Sequence, residues 1–146
     1  MRRITLAITL AIIVSSTSFA QVIPGTIRVY VLGVRNSYGD VKCELFNSED
    51  GFPMDTSKAV KTTSGQIHNG QAVCNFTKVL PGDDYAVAVY HDENGNGQLD
   101  TNFLGIPKEG VGASNDASST FGPPKYDDAT FKYSGGIQPV TVHIHY

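Results

Sequence analysis

The sequence contains no tryptophan and only two cysteines, and beyond Arg2 and Arg3 its Lys and Arg residues never cluster. Binding to a phosphate backbone requires a patch of basic side chains, so nucleic acid is not an expected partner. No apolar run reaches the ~20 residues that a membrane-spanning helix needs. Without tryptophan, the seven Tyr and seven Phe residues must supply the large side chains of the core.

The first twenty residues have the pattern of an export signal. Arg2 and Arg3 precede an apolar stretch from residue 4 to 14, and small residues ending in Ala20 follow, as a signal peptidase requires. An uncleaved anchor is the alternative, but the stretch is too short to cross a bilayer. We predict cleavage before Gln21, no membrane span after cleavage, and a periplasmic or extracellular location.

The remaining residues, 21–146, are enough for one domain and too few for two. They hold nine basic and fourteen acidic side chains, which gives a net charge of −5. Cys43 alternates with Val41 and Leu45, and Cys74 alternates with Ala72 and Phe76, so both point to the apolar side of their strands. In an oxidising compartment this favours a Cys43–Cys74 disulfide over two separate buried thiols.

Alternation with a period of two dominates the chain, and no window has the periodicity of an amphipathic helix. The run YAVAVY at 85–90 is apolar or aromatic throughout, which predicts a central strand covered on both faces. Pro139 cannot donate to a neighbouring strand, so we place it at the start of an edge strand. The pattern predicts an all-β fold, a seven-stranded immunoglobulin-like or transthyretin-like β-sandwich. The predicted strands are 26–31, 41–46, 58–63, 71–79, 85–90, 129–133 and 140–146.

The segment 101–128 has little predicted regular structure. Connections of this length in a compact domain are usually functional or disordered. Its apolar residues predict an ordered loop segment that folds back over the outer face of the 85–90 strand. These residues are Phe103, Leu104, Ile106, Phe121 and Tyr126.

The run HDENGNGQLD at 91–100 has the spacing of a calcium-binding loop. Oxygen-bearing side chains stand at Asp92, Asn94, Asn96 and Asp100, which are loop positions 1, 3, 5 and 9. Gly97 stands at position 6, where such a loop turns sharply. Ca²⁺ takes six to eight oxygen ligands, and alternate residues of a curled loop point inward to supply them. The spacing therefore predicts a Ca²⁺ site.

The predicted site lacks one part, because Phe103 stands at position 12 where a bidentate Glu is expected. Gln98 would add its backbone carbonyl, Leu99 would anchor the loop in the core, and Glu109 is the nearest carboxylate that could close the shell. With two carboxylates in the loop, we expect a dissociation constant of about 10⁻⁴ to 10⁻³ M. The alternatives are a metal-free loop held by Asx turns and a site for another metal.

The histidines give weaker predictions. His91 continues the face of Val87 and Val89, so we expect a hydrogen-bonded residue at a strand end rather than a ligand or base. His143 and His145 share one face of the last strand. Such a pair can bind zinc or copper, but without a third ligand in view we expect a solvated face. No nucleophile, base and orienting residue form a recognisable set, so no enzymatic activity is expected.

Two stretches carry a resemblance to a known family: HDENGNGQLDTNFLGIPKEGVGAS at 91–114 and FGPPKYDDATF at 121–131. Together with LPGDDYAVAVYHD at 80–92, they resemble the uncharacterised secreted bacterial family called domain of unknown function 2141. The 80–92 stretch is also similar to transthyretin-like and carboxypeptidase regulatory domains. The resemblance implies an exported β-sandwich and brings no activity with it.

These observations predict an exported β-sandwich module with a structural or binding role. Its partner would be a glycan, a peptide or a cell-envelope protein, bound at a surface that includes Phe103, Phe121 and Tyr126. A metal-free structural envelope protein is the first alternative. A hydrolase built on His91 and the nearby carboxylates is the second.

Overall fold

The computed structural model describes residues 21–146, and the predicted export signal at 1–20 lies outside them. Within the described residues, two β-sheets face each other across one hydrophobic core. The strands are β1 (Gly25–Leu32), β2 (Asp40–Phe46), β3 (Lys61–Gly65), β4 (Ile67–His68), β5 (Gln71–Val79), β6 (Asp84–Asp92), β7 (Val111–Ala113), β8 (Phe131–Lys132) and β9 (Ile137–His143). Short helices are the 3-10 turns Thr56–Lys58 and Ser114–Asp116 and the α-helix α1 (Tyr126–Ala129).

One sheet has the strand order β4-β5-β1-β9, and the other has the order β3-β2-β6-β7, with β8 paired to the beginning of β6. All strand pairs are antiparallel except β1 with β9, which run parallel. After β9 the chain crosses to the second sheet, where His145 forms a bridge with Val111 of β7. No helix among residues 21–146 is long and apolar enough to cross a membrane.

The core follows from the period-two pattern, because every second residue of β1, β2 and β5 points between the sheets. Ile27, Val29 and Val31 of β1 are fully buried there. Cys43 of β2 and Cys74 of β5 form a disulfide with a Cα–Cα distance of 6.5 Å. The bond joins the two sheets and confirms the predicted pairing.

Strand β6 is buried on both faces, as its sequence predicts. Every residue from 85 to 92 is buried. On the outer face, Ala86 packs with Ala113 of the segment 101–128 and with Ala129, which directly follows it. Ser114 holds these residues against β6, because its hydroxyl accepts a hydrogen bond from Val87 N (2.9 Å) and donates one to Ala129 O (2.5 Å).

The number of strands differs from the prediction, since the described residues contain nine rather than seven. β4 and β7 have two and three residues, too few to show an alternating pattern in sequence. The third strand begins at Lys61 instead of residue 58, because Asp55 caps the preceding 3-10 turn by accepting a hydrogen bond from Ser57 N. Pro139 lies inside β9 rather than at its start, but β9 is an edge strand, as predicted.

The segment 101–128 is more regular than expected, since it contains β7, the 3-10 turn Ser114–Asp116 and the beginning of α1. Most of the apolar residues that were predicted to order the segment do not pack against the protein. Phe103 and Phe121 are 95% and 90% exposed, and Leu104 and Ile106 are also exposed. Pairing of β7 with β6 and the small residues beneath it hold the segment instead.

Candidate calcium-type loop and the adjoining groove

The loop 92–100 begins at the end of β6 and curls around the carboxylate of Asp92. This side chain is fully buried, and its two oxygens accept hydrogen bonds from Asn96 N (3.1 Å) and Gly97 N (2.8 Å). Gly97 has a φ of +76°, in the left-handed region that glycine adopts without steric cost. The sharp turn predicted at this position is therefore present.

The side chains of Asn94 and Asn96 meet at Asp100. Asn94 Nδ2 donates to Asp100 Oδ2 (2.6 Å), and Asn96 Nδ2 donates to Asp100 Oδ1 (3.1 Å). The amide oxygens accept bonds from the loop backbone, Asn94 Oδ1 from Asn96 N (3.1 Å) and Asn96 Oδ1 from Gln98 N (2.9 Å). Asp100 is thus the common acceptor of the two amide groups, whereas the Asp92 carboxylate faces the loop backbone.

Glu109 also reaches this loop, as the sequence predicts, but its role differs from that of a free closing ligand. The side chain is 7% exposed. Its Oε1 accepts a hydrogen bond from Glu93 N (2.9 Å) and its Oε2 accepts one from Asp100 N (3.1 Å). Glu109 therefore ties the beginning of the loop to its end through the backbone.

The remaining predicted residues lie at the rim. Gln98 is exposed, and Leu99 is half-buried rather than packed into the core, where it lines a groove described below. Within residues 21–146, no three His, Cys, Asp or Glu side chains are grouped closely enough to hold a metal. The candidate set is therefore a mixture of carboxylate and amide oxygens.

A lysine that the sequence analysis missed lies beside the loop. Lys42 Nζ is 3.0 Å from Asp40 Oδ2 and 3.9 Å from Asp92 Oδ2. Pairing of β2 with β6 sets this position, because Asp40 lies opposite Asp92 in the register. The lysine opposes a cation at the loop, and nothing in the local spacing of the loop indicates it.

Tyr90 anchors the loop from below and was also missed. Its hydroxyl donates to Gly97 O (3.2 Å). Burial, and to a smaller extent the neighbouring carboxylates of Glu44, Asp92 and Glu109, raise the pKa of Tyr90 to about 12. The hydroxyl therefore keeps its proton at neutral pH and remains a donor.

His91 is fully buried, and both of its ring nitrogens have partners. Nδ1 lies 2.7 Å from the Tyr146 hydroxyl, and Nε2 lies 2.7 Å from Tyr38 O. The Tyr146 ring also stacks under the guanidinium of Arg35, which pairs with Glu93. His91 thus connects the core to the last residue of the chain, and this is the hydrogen-bonded role that the sequence predicts.

An open groove of about 780 Å³ lies beside the loop, on the outer face of β6 and β7. Ala88 and Tyr90 of β6 form part of its lining. Leu99, Ile106 and Pro107 line it on the side of the loop, and Pro124 belongs to the returning part of the segment. The groove is mainly apolar and joins the calcium-type loop to the segment 101–128.

The three residues predicted to form a binding surface do not line this groove. Phe103 and Phe121 project into solvent. Tyr126 is half-buried, packs edge-on against Phe52 with 5.7 Å between ring centroids, and donates from its hydroxyl to Asp84 O (3.1 Å). Tyr126 thus has a packing role, and only the two phenylalanines are free to meet a partner.

The comparisons with known proteins give one result. The family model DUF2141, described as an uncharacterized protein conserved in bacteria, matches residues 29–141. No curated protein and no solved structure matches the chain. The matched range spans both sheets, the loop 92–100 and the groove. The chain therefore belongs to DUF2141, an uncharacterised family conserved in bacteria.

Proposed function

We propose that this protein is an exported β-sandwich module of the immunoglobulin-like or transthyretin-like class, in which the loop 92–100 binds Ca²⁺ and holds a binding surface in place. The observation that carries the proposal is that one curled loop brings the amides of Asn94 and Asn96 to the Asp100 carboxylate and wraps its backbone around the Asp92 carboxylate. A set of oxygen atoms brought together by a curled loop is the arrangement that a hard cation requires.

The donor set fits Ca²⁺ in type and in charge. Asp92 and Asp100 would supply carboxylate oxygens, and Gln98 would supply its backbone carbonyl. Asn94 and Asn96 are exposed, and rotation of each amide would turn its oxygen toward the ion in exchange for its present bond to the loop backbone. With two carboxylates and Lys42 nearby, we expect a dissociation constant of about 10⁻⁴ to 10⁻³ M, the range of extracellular calcium modules.

The loop is coupled by hydrogen bonds to one side of the groove. Lys108 N donates to Asp100 O (2.8 Å), and Asn102 N donates to Ile106 O (2.8 Å). Asn102 Oδ1 also accepts bonds from the backbone of Leu104 and Ile106. Residues 100–108 therefore form one hydrogen-bonded unit, and an ion that fixes Asp100 would stiffen the side of the groove that this unit forms.

The groove and the two exposed phenylalanines support a role in binding. An apolar groove with few polar groups suits a glycan face, a peptide or a protein of the cell envelope. The Cys43–Cys74 disulfide supports an oxidising compartment. Nucleic acid remains an unsuitable partner, since the chain has no cluster of basic residues.

The experiment is a set of thermal melts on residues 21–146 with millimolar calcium and with a chelator. An ion that binds only the folded state stabilises it by RT ln(1 + [Ca²⁺]/Kd), which is about 1 kcal/mol at a few times Kd. We expect a higher melting temperature with calcium, no such shift with magnesium, and loss of the shift in Asp100→Asn. Asp127→Asn, the same charge change on exposed α1, is the control. Equal melting temperatures with and without calcium would exclude the proposed site.

The alternative is a metal-free structural protein of the envelope. It is favoured by the hydrogen bonds within the loop, since the side chains of Asp92, Asn94, Asn96 and Asp100 each already have a partner. In that case Asp100→Asn would lower the melting temperature equally in calcium and in chelator. The same pair of melts therefore separates the two functions.

A further inference from the structure

The end of the chain carries two histidines on one exposed face. Val142 and Ile144 are buried, whereas His143 and His145 are exposed, and both rings lie close enough to Asp116 to lower the pKa of its carboxyl. Two residues of extended chain span about 6.6 Å at a rise of ~3.3 Å per residue. Backbone bonds hold this stretch on both sides, from Ile144 N to Leu32 O (2.9 Å) and from His145 N to Val111 O (2.9 Å). The two imidazoles therefore rise from a fixed backbone.

Asp116 orients the first of these imidazoles. Its Oδ1 accepts a hydrogen bond from His143 N, and its Oδ2 lies next to His143 Nδ1, both at 2.9 Å. Partial burial raises the pKa of Asp116, but the bonds from His143 and the nearby rings of His143 and His145 outweigh it and lower the pKa. In the neutral tautomer that donates from Nδ1 to the carboxylate, Nε2 of His143 carries a lone pair that faces away from Asp116.

The backbone that presents Asp116 has an uncommon conformation. Asn115 and Asp116 have φ values of +59° and +49°, two successive non-glycine residues in the left-handed region. Asn115 Nδ2 holds this turn by donating to Thr130 O (2.8 Å) and Asp128 O (3.2 Å). The turn brings the carboxylate onto His143 across 27 residues of sequence.

We propose that His143 and His145 bind a divalent transition-metal ion, with Asp116 as the positioning residue. A carboxylate that accepts the distal N–H of a histidine ligand is the usual outer partner of such a ligand and raises its basicity. Imidazole nitrogen suits Cu²⁺, Zn²⁺ and Ni²⁺, and the general order of affinities makes Cu²⁺ the tightest. Water completes the coordination, so the site is an open one with two protein ligands.

This site differs from the calcium-type loop in its residues and in its chemistry, although His145 lines the same groove as Leu99. The loop offers oxygen atoms to a hard cation, whereas the histidine pair offers nitrogen atoms to a softer one. Failure of either proposal leaves the other standing. The two can be told apart by Asp100→Asn, which we expect to leave binding of Cu²⁺ unchanged.

The test is a titration of residues 21–146, without an affinity tag, with Cu²⁺ and Zn²⁺ in the presence of excess calcium. We expect one Cu²⁺ per chain, with an electron paramagnetic resonance spectrum that shows two nitrogen ligands. His143→Gln and His145→Gln should each weaken binding about tenfold or more, and Asp116→Asn by about tenfold. His68→Gln, on the exposed edge strand β4, is the matched control and should bind as the wild type does.

Three results would overturn the proposal. The first is wild-type protein that does not bind Cu²⁺, and the second is undiminished binding when both His143 and His145 are replaced. The third concerns Asp116 alone: unchanged affinity in Asp116→Asn would remove it as the positioning residue. Melting curves of each variant check folding, and we expect little change because both imidazoles are exposed.

Discussion

The carboxylate of Glu109 accepts a hydrogen bond from the backbone N–H of Asp100 at 3.1 Å, nine residues earlier in the chain. The other oxygen of Glu109 accepts from Glu93 N at 2.9 Å. One buried side chain therefore spans the base of the loop 92–100 and connects it to the chain that leads into β7. Glu109, which lies outside the loop sequence, therefore helps to hold the loop in its conformation.

Replacing Glu109 with alanine should weaken the whole loop. Two backbone N–H groups lose their acceptor, and a lost hydrogen bond to a charged group costs about 1.5–3 kcal/mol. We expect the free energy of unfolding to fall by about 2–3 kcal/mol, measured by urea denaturation. Glu49→Ala removes the same side chain at an exposed position and is the control. Equal stabilities of the two variants would contradict this role of Glu109.

Replacing Lys42 with glutamine should strengthen calcium binding. The change removes a positive charge 3.9 Å from Asp92 Oδ2. The Lys42 side chain is 29% exposed, so water screens its charge in part and the affinity should rise by about two- to fivefold. Calorimetric titration with Ca²⁺ measures the change. Lys132→Gln, at the other end of β6, should leave the affinity as it is. A weaker affinity in Lys42→Gln would show that the lysine supports the loop rather than opposing the ion.

Glu44 should make the stability depend on pH. It is 3% exposed, and burial raises its pKa above the ordinary 4.5, although the hydroxyl of Thr56 donates to it and lowers the pKa in part. The folded state therefore prefers the protonated form. The stability that protonated Glu44 contributes is fully present below pH 4.5, and it is lost as the pH rises through the raised pKa of Glu44 in the folded state.

Glu44→Gln keeps a neutral side chain of the same shape at every pH. We expect the variant to be more stable than the wild type at neutral pH, with a difference that shrinks as the pH falls toward 4.5. Urea denaturation across this pH range measures it, with exposed Glu49→Gln as the control. Parallel pH profiles of the variant and the wild type would contradict the raised pKa.

His91 should prove to be a packing residue. Its ring is fully buried and bonded at both nitrogens, so His91→Ala leaves a cavity and strands the Tyr146 hydroxyl and Tyr38 O. We expect a loss of about 2–4 kcal/mol in the free energy of unfolding, and about 1 kcal/mol for Tyr146→Phe. A hydrolase built on His91 predicts the opposite, a stable variant without turnover.

The longer strands were predictable from sequence, and the short ones were not. β5 lies at 71–79, as its alternating residues predict, and the uniformly apolar run in β6 predicts its burial on both faces. β4 and β7 form because neighbouring strands offer them hydrogen bonds, not because their own residues favour a strand. Phe103 and Phe121 show the converse, since aromatic residues in a loop indicated burial and lie exposed.

The sequence by itself determined the turn at Gly97 and the contacts of Asn94 and Asn96 with Asp100. These groups lie within nine residues, so the local conformation of one loop sets their distances. Tertiary structure alone decided which charged groups lie near one another. The pairing of β2 with β6 places Lys42 beside the loop 92–100. His143 meets Asp116 because β9 ends beside the 3-10 turn Ser114–Asp116. Contacts between residues distant in sequence depend on strand register, which no short spacing encodes.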